Sequence, residues 1–153
     1  MFTLTSPSFD NGDRIPAENI RDAGNLSPQL DWTDPPKGTR SFVLTMEDPD
    51  AQAPAFRHWM VYNIPPTRRH LAAGRSSSAR TEDLPHAYND FGDLAYDGPQ
   101  PPAGDPPHSY RFRLAALSVP KLEMGEQPYA GDVWARAYVL GEAELIGTYA
   151  REA

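Results

Sequence analysis

Two short motifs, about fifty positions apart, contain the residues best suited to bind a ligand or to do chemistry. The first is Asp48-Pro49-Asp50 with His58-Trp59 downstream, and the second is the proline-rich run 98–107 followed by His108-Ser109-Tyr110. Each motif ends in a histidine at the start of a predicted strand. Because a rigid sheet holds side chains more firmly than a loop does, both rings are expected to be fixed beneath the proline-bounded loops. This pattern indicates a small preformed pocket.

The side chains of these motifs could bind an anion. A phosphate or carboxylate anion needs several donors that converge on it, and two protonated imidazoles with the Tyr110 hydroxyl would supply charge-assisted bonds worth roughly 1.5–3 kcal/mol each. Asp48 would repel an anion, so its predicted role is to accept a hydrogen bond from one ring nitrogen of a histidine and to turn the other N–H toward the ligand. The prolines have no N–H and are predicted to form a stiff apolar wall.

The same residue types also allow two other functions. An enzyme could use Asp48, His58 and His108 as general acid and base, or as a metal site of two histidines and one carboxylate. However, the chain has no His-Glu-x-x-His motif, and the Ser109 side chain should point away from His108 and Tyr110 because successive strand residues face opposite sides. The third alternative is a scaffold with a functional dimer face and a vestigial pocket. We favour anion binding and expect neither a metal nor a cofactor.

Each motif taken alone is more typical of structure than of function. Aspartate and proline are favoured in the turn that follows a strand, so Asp48-Pro49-Asp50 needs no ligand to explain it. A lone histidine such as His58 or His108 is more often a hydrogen-bonded part of the core than a functional residue. His70 and His86 lie in the polar region without a recognisable partner and are assigned no role. Only the joint occurrence of the two histidine motifs supports a functional pocket.

Composition narrows the classes of protein further. The chain has 153 residues, enough for one domain (1–153) with a substantial core, and its net charge of −7 argues against a nucleic-acid partner. It contains no cysteine, which excludes disulfides and thiolate metal sites. The N-terminus lacks the regions of a signal peptide, and no apolar run approaches the roughly 18 residues that span a bilayer. We therefore expect a cytoplasmic protein without a membrane span.

Strand patterns outnumber helix patterns along the chain. Alternating or continuous apolar runs predict strands at Phe42–Glu47, His58–Ile64, Tyr110–Leu114, Phe2–Thr5, Leu30–Trp32 and Leu145–Tyr149. One helix is predicted near Tyr129–Leu140, where apolar residues approximate a helical stripe and Gly141 follows as a stop. The polar stretch Leu71–Leu94 is predicted to be a long loop. Strands first and a helix late indicate a mainly β protein with antiparallel pairing and helices at one end.

Several segments, in this order and spacing, resemble the phosphatidylethanolamine-binding proteins, and among them the bacterial and archaeal branch described as Raf-kinase-inhibitor-like. The shared segments are Gly24-Asn25-Leu26-Ser27-Pro28-Gln29-Leu30-Asp31-Trp32, Asp48-Pro49-Asp50-Ala51 with His58-Trp59, Asn89-Asp90-Phe91-Gly92, Tyr96, Gly98-Pro99, Pro101-Pro102, Gly104, His108-Ser109-Tyr110 and Leu145-Ile146-Gly147-Thr148-Tyr149. The resemblance covers nearly the whole chain. It implies two antiparallel sheets with a few peripheral helices and a pocket for phosphate-like anions.

The family's pocket residues fall on Asp48, His58, Pro101, His108 and Tyr110, and each position holds the expected residue type. The implied ligand is a small phosphate-like anion, such as a phosphorylated headgroup or side chain. A protein partner, for example a kinase that is inhibited, and a homodimer are left open.

This chain departs from the family pattern at the rim of the implied pocket. Gln52 stands where proline is usual, Asp97 where glycine is usual and Gln100 where cysteine is frequent, and the loop from Gln52 to Arg57 is slightly short. These departures bear on ligand size and selectivity.

Overall fold

The computed structural model describes residues 1–52, 55–77, 84–124 and 138–152. Strands dominate this part of the chain, and their bounds are β1 (Thr3–Thr5), β2 (Leu30–Thr33), β3 (Ser41–Asp48), β4 (Phe56–Ile64), β5 (His70–Leu71), β6 (His108–Leu117) and β7 (Val139–Tyr149). A 3-10 helix, Ala17–Asn19, lies between β1 and β2. None of the helices in the described ranges is long and apolar enough to cross a membrane.

The strands form two antiparallel sheets, which confirms the predicted fold class. The smaller sheet has the order β1-β2-β5, and the larger one has the order β4-β3-β6-β7. All neighbouring strands within each sheet run antiparallel. β3 lies inside the larger sheet, between β4 and β6, and all but one of its eight residues are buried.

The main hydrophobic core contains residues from both sheets. On β3, Phe42, Leu44 and Met46 belong to this core, and the Trp32 ring of β2 meets Phe42 edge-on at 5.6 Å. Val43 points the other way and joins a smaller cluster on the opposite face of the larger sheet. This division follows from the two-residue period of a strand. Burying a side chain of this size contributes roughly 1.5–3 kcal/mol, so the core fixes the register of β3 and of the strands beside it.

The C-terminal prediction was partly wrong. Val139 and Leu140, which were placed at the end of a helix, begin β7, and the rest of that helix, residues 129–137, lies outside the described residues. β7 pairs with β6 from Val139 opposite Leu117 to Tyr149 opposite His108, and this long ladder overrides the local helical pattern. Gly141 is therefore a strand residue, and a Cβ there would lie 2.8 Å from the Pro36 ring.

The predicted long loop also begins differently. His70 and Leu71 form β5, which pairs with β2 through Leu71 opposite Leu30. Leu71 is buried in the main core, so a strand of two residues is stabilised by tertiary packing rather than by its own sequence.

Candidate ligand-binding site

Three strand ends meet at one edge of the larger sheet. Because β3 runs antiparallel to both of its neighbours, its last residue, Asp48, lies opposite Phe56 at the start of β4 and close to the start of β6. His58 is the third residue of β4, and His108 and Tyr110 are the first and third residues of β6. Residues of both sequence motifs are thereby brought together on rigid strands.

A cavity of about 230 Å³ opens at this edge. All five residues proposed from the sequence (Asp48, His58, Pro101, His108 and Tyr110) line it. The other lining residues are Asp50, Ala51, Phe56, Phe91, Gln100, Pro102 and Asp105. The volume lies below the range of pockets for drug-sized molecules, so the cavity suits a small group.

Asp48 is buried, with both carboxylate oxygens bonded. Oδ1 accepts the backbone N–H groups of Asp50 (2.9 Å) and Ala51 (3.2 Å), which shapes the turn after β3. Oδ2 accepts the Nδ1–H of His108 at 2.7 Å. The predicted contact between this carboxylate and a histidine is therefore present, and the histidine is His108.

His108 lies between two carboxylates. Its Nδ1 contacts Asp48 Oδ2, and its Nε2 contacts Asp105 Oδ2 at 3.1 Å. Ionised carboxylates only accept hydrogen bonds, so the geometry favours a ring that carries a proton on both nitrogens. Burial opposes the charged ring, but the hydrogen bonds and charges of Asp48 and Asp105 outweigh burial and raise the pKa of His108.

His58 has the opposite environment. Its Nδ1 lies 2.8 Å from the carbonyl oxygen of Asp97, and a carbonyl can only accept, so Nδ1 carries the proton. The ring packs edge-on against Phe56, Phe91 and Tyr110 at centroid distances of 5.1, 5.5 and 5.4 Å. Burial lowers the pKa of His58, although the Asp97 carbonyl and the nearby carboxylates oppose this effect. The sequence predicts two charged rings, but burial favours a neutral His58.

Tyr110 completes the cavity wall between the two histidines. The residue is fully buried, and its hydroxyl makes no hydrogen bond of good geometry in the part of the chain that the structure describes, although the Asp48 carboxylate lies close to it. Burial, followed by the nearby charge of Asp48, raises the pKa of Tyr110, so the hydroxyl keeps its proton and remains a donor. An unpaired buried hydroxyl is unusual in a native protein and marks this wall as a place where a ligand or water completes the hydrogen bonding.

A buried polar cluster holds the His58 side of the cavity. Asn89 Nδ2 contacts the carbonyl oxygens of His58 (3.1 Å) and Ala95 (3.0 Å) and the Asp97 carboxylate (2.8 Å). Asn89 Oδ1 accepts the Phe91 N–H at 2.9 Å. One amide side chain thus fixes the strand that carries His58 and the loop that carries Phe91.

Asp97, the departure from glycine, belongs to the same cluster. Its carboxylate accepts from Asn25 at 3.0 Å and lies 3.6 Å from Arg21 Nε. Burial would raise the pKa of Asp97, but hydrogen bonds from its neighbours and the charge of Arg21 outweigh burial and lower it. A hydrogen bond to Asp97, together with burial, raises the pKa of Asp93 to about 6. Asp97 therefore faces its polar neighbours, and its backbone carbonyl is what reaches His58.

Gln100, the departure from cysteine, is held in place at the cavity edge. Its Oε1 accepts from Arg21 Nη1 at 2.9 Å, and its Nε2 donates to Asp22 Oδ1 at 2.7 Å. The Arg21 guanidinium also lies over the Phe91 ring at 4.0 Å. Gln52, the third departure, is exposed and donates to the Ala55 carbonyl at 3.4 Å.

Gly98, which follows Asp97 and precedes the proline run, makes a close backbone contact. A Cβ on Gly98 would lie 2.0 Å from the Asn19 carbonyl oxygen, so only glycine fits there. The Gly98 N–H donates to Asn25 Oδ1 at 2.8 Å. This contact fixes the start of the run that places Pro101 and Pro102 at the cavity.

Sequence reasoning missed several residues of the site. Phe56 and Phe91 contact the His58 ring, Asn89 donates to the His58 backbone carbonyl, and Asp105 contacts His108. The position of Asp105, three residues before His108 in a proline-rich loop, was the sequence feature that could have indicated its contact with His108. Among the described residues, no group of three histidine or acidic side chains is arranged to hold a metal ion. His86, which was assigned no role, contacts Ser76 Oγ at 2.8 Å.

Comparison with known proteins identifies the family. The family model described as phosphatidylethanolamine-binding protein matches residues 5–150. A UPF0098 protein of Aquifex aeolicus is 40% identical over 149 residues, which cover 96% of this chain and 87% of that protein. The UPF0098 protein YbhB of Escherichia coli is 37% identical over 131 residues, 80% of this chain and 82% of that protein.

A solved structure shows the same fold. The crystal structure of Escherichia coli YbcL, described as a new member of the mammalian PEBP family, matches with a TM-score of 0.92 and 30% identity, covering 99% of each chain. The two-sheet architecture, the residues matched by the family model and these relatives all indicate the same family. The chain belongs to the phosphatidylethanolamine-binding protein family.

Proposed function

We propose that the cavity binds a small oxyanion that still carries a proton, with dihydrogen phosphate and the protonated monoanions of phosphate monoesters as the chemical class. The observation that carries this proposal is the asymmetry of the two histidines. One ring is held in its charged form and offers positive charge, whereas the other is held in its neutral form and offers a lone pair.

The lone pair belongs to Nε2 of His58. The Nδ1–H of that ring donates to the Asp97 carbonyl, and this is the one hydrogen bond of good geometry that the ring makes among the described residues. A neutral imidazole with its proton on Nδ1 can only accept at Nε2. A ligand that contacts this atom must therefore donate a hydrogen bond, which a hydrogen phosphate does through its P–O–H group.

The other donors of the cavity suit the unprotonated oxygens of the same ligand. His108 supplies the positive charge, and the unpaired Tyr110 hydroxyl supplies a neutral donor. Charge-assisted bonds of this kind contribute roughly 1.5–3 kcal/mol each. Against them stand the carboxylates of Asp48, Asp50 and Asp105, which also line the cavity and repel high negative charge. This balance favours a singly charged oxyanion.

The family relationship gives independent support for this ligand class. The family is named after a lipid whose headgroup contains phosphate. The cavity volume of about 230 Å³ suits a phosphate group with a small substituent rather than a whole lipid. We therefore propose recognition of the phosphate-bearing end of the ligand.

Binding is favoured over the enzyme alternative on the evidence of Ser109. Its two neighbours on β6, His108 and Tyr110, are buried at the cavity, whereas Ser109 is half-buried and its N–H donates to Asp50 Oδ2 at 2.8 Å. The strand geometry directs its hydroxyl away from both residues, so it is not placed to act as a nucleophile toward a ligand in the cavity.

Calorimetric titration of phosphate and of sulfate at pH 6.5 tests the proposed ligand class. Sulfate has the same shape but no proton at this pH, so we expect it to bind at least tenfold more weakly than phosphate, since it leaves His58 Nε2 unpaired. Phosphoethanolamine in a parallel titration distinguishes a headgroup ligand from free phosphate. Equal affinity for phosphate and sulfate, or no detectable phosphate binding, would contradict the proposal.

Variants at two histidines locate the binding. His58→Phe keeps an aromatic ring but removes the acceptor, and we expect it to weaken phosphate binding roughly ten- to a hundredfold. His70→Gln is the matched control, because His70 is exposed on β5 and does not line the cavity. Its affinity for phosphate should equal that of the wild type.

We also propose that ligand occupancy regulates a protein partner, as the kinase-inhibitor-like relationship suggests, and that the protein acts in the cytoplasm, as a homodimer. A protein that binds a ligand without converting it can affect other processes only through the proteins that it contacts. Light scattering of purified protein with and without phosphate tests the dimer: a single-chain mass of 16.9 kDa under both conditions would contradict it.

A further inference from the structure

Asp105 occupies the bond that an incoming oxyanion needs. Nε2 of His108 is the ring nitrogen that does not contact Asp48, and it donates to Asp105 Oδ2 at 3.1 Å. Asp105 also lines the cavity. Both nitrogens of the charged ring are therefore already satisfied by carboxylates of the protein, and a ligand oxygen cannot reach Nε2 while Asp105 remains there.

The two carboxylates that contact His108 are held very differently. The Asp48 side chain is 3% exposed, contacts His108 at 2.7 Å and accepts two backbone N–H groups besides. The Asp105 side chain is 43% exposed, and its contact is longer, at 3.1 Å. Its contact with His108 is its one side-chain hydrogen bond among the described residues. Asp48 is a fixed part of the site, whereas water can solvate Asp105 once it leaves the ring.

The backbone around Asp105 gives the side chain room to move. Asp105 lies in the loop before β6, where its N–H donates to the Pro102 carbonyl at 3.2 Å and the preceding Gly104 has a φ of +87°. The backbone can keep this turn while the carboxylate rotates outward into solvent. Exchange of one anion for another at Nε2 then needs no change in the strands.

We propose that Asp105 is a displaceable internal anion, which closes the cavity in the ligand-free protein and releases His108 Nε2 when an oxyanion enters. This inference rests on the proposed function, since it concerns the same cavity and the same ligand class. Asp105 thus sets the affinity, because the ligand must displace a tethered carboxylate from Nε2. A solute that cannot displace Asp105 gains no charge-assisted bond to His108.

Replacement of Asp105 tests this inference through phosphate affinity. Asp105→Asn keeps the size of the side chain but removes the charge that competes with the ligand, and Asp105→Ala removes the contact altogether. We expect both variants to bind phosphate about tenfold more tightly than the wild type at pH 6.5. The Asp105 side chain is at the rim and half-solvated, so both variants should fold. The Ala variant serves as a second test if the Asn amide makes a new bond to the His108 ring.

Asp50→Asn is the control for charge alone. Asp50 lines the same cavity, but its Oδ2 accepts the Ser109 N–H at 2.8 Å instead of contacting a histidine. Its replacement makes the same change in net charge, so any general electrostatic effect appears in both variants. We expect a gain of about twofold for Asp50→Asn, well below that of the Asp105 variants.

A second measurement tests the contact between Asp105 and His108 in the absence of ligand. Among the described residues, Asp48 and Asp105 contact the two nitrogens of His108, the Tyr110 ring stacks at 6.3 Å from it, and Tyr149 of β7 lies opposite it in the ladder. In the ligand-free protein, NMR titration of His108 should show a lower pKa in Asp105→Asn than in the wild type, because one of its two carboxylate partners is neutral.

The outcomes separate the two proposals. Tighter phosphate binding in the Asp105 variants, with a smaller gain in Asp50→Asn, supports the displaceable anion. Equal phosphate affinity in wild type and both Asp105 variants, or an equal gain in Asp50→Asn, overturns it and leaves the proposed function standing. If neither wild type nor variants bind phosphate, the proposed function itself is overturned, and this inference with it.

Discussion

The two sides of the cavity carry the same residue type in opposite chemical states. His58 on β4 is enclosed by aromatic rings and bonded to one carbonyl, whereas His108 on β6 is held between two carboxylates. Burial dominates on the first side and lowers the pKa, while charge dominates on the second and raises it. The surroundings of a histidine, and not its presence in a motif, decide which bond it offers to a ligand.

The two sides also affect stability in opposite directions as the pH changes. The lowered pKa of His58 means that the unfolded chain binds more protons near pH 6, so this residue makes the folded state more stable as the pH rises. The raised pKa of His108 means that the folded state binds more protons, so its stabilising contribution is complete below about pH 6.5 and is lost as the pH rises through the folded pKa. The cavity therefore combines one base that resists protonation with one that retains its proton.

The largest expected effect comes from breaking the charged side. Asp48→Ala removes the fixed partner of His108 and two acceptors for backbone N–H groups in a buried site. Loss of one partner from a buried ion pair costs about 3 kcal/mol, and we expect this decrease in the free energy of unfolding by urea titration at pH 6.5.

An exposed ion pair provides the control for Asp48. Glu144→Gln breaks the contact with Arg111 on the adjacent strand, where both side chains are about two-fifths exposed (42% and 41%). This change should cost at most about 1 kcal/mol, because solvent screens the pair. Equal losses in the two variants would mean that Asp48 is no more than a surface charge.

A smaller effect sharpens the picture of the His58 side. Asp93 donates its proton to Asp97, and its pKa of about 6 lies above the ordinary value of 3.8. The folded state therefore binds the extra proton between pH 4 and 6, and its stability falls as the pH rises through this window. Asp93→Asn supplies a permanent donor, so we expect a gain of about 1 kcal/mol at pH 8 and none at pH 4.5.

Asp13→Asn is the control for a change of charge on an exposed acidic residue. Asp13 is exposed, and its backbone carbonyl, which the substitution leaves in place, accepts the Thr148 N–H at 2.9 Å. Its stability should change little and show no step near pH 6. A gain at pH 8 of the same size in both variants would show that net charge, rather than the Asp93–Asp97 pair, is responsible.

Local patterns predicted the strands that build the site but not the full length of β7. In β6, Tyr110, Phe112 and Leu114 alternate with Arg111 and Arg113, and this period of two is readable from the sequence alone. Leu140 fits a helical stripe equally well, and the strand state of Val139 and Leu140 depends on pairing with residues more than twenty positions away in β6. Non-local pairing of this kind has no signature in a short window of sequence.

The same distinction applies to the cavity. Its five sequence-proposed residues stood out because histidine, aspartate, proline and tyrosine were combined in two unusual motifs. Asn89 reaches the His58 carbonyl across 31 positions, and nothing in its neighbourhood predicts that contact. The neutral state of His58 depends on burial by Phe56 and Phe91, which is a property of the assembled fold.

The most direct test of this asymmetry is an NMR titration of the imidazole nitrogens of ligand-free protein from pH 5 to pH 8. The chain has four histidines, and His58→Phe and Asp105→Asn assign the two cavity rings. We expect His108 to titrate above its ordinary pKa of 6.5, with both nitrogens protonated at pH 6.5. We expect His58 to titrate below 6.5 and to carry its proton on Nδ1 when neutral. A higher pKa for His58 than for His108, or a His58 proton on Nε2, would contradict the assignment of charge and lone pair on which the proposed ligand class depends.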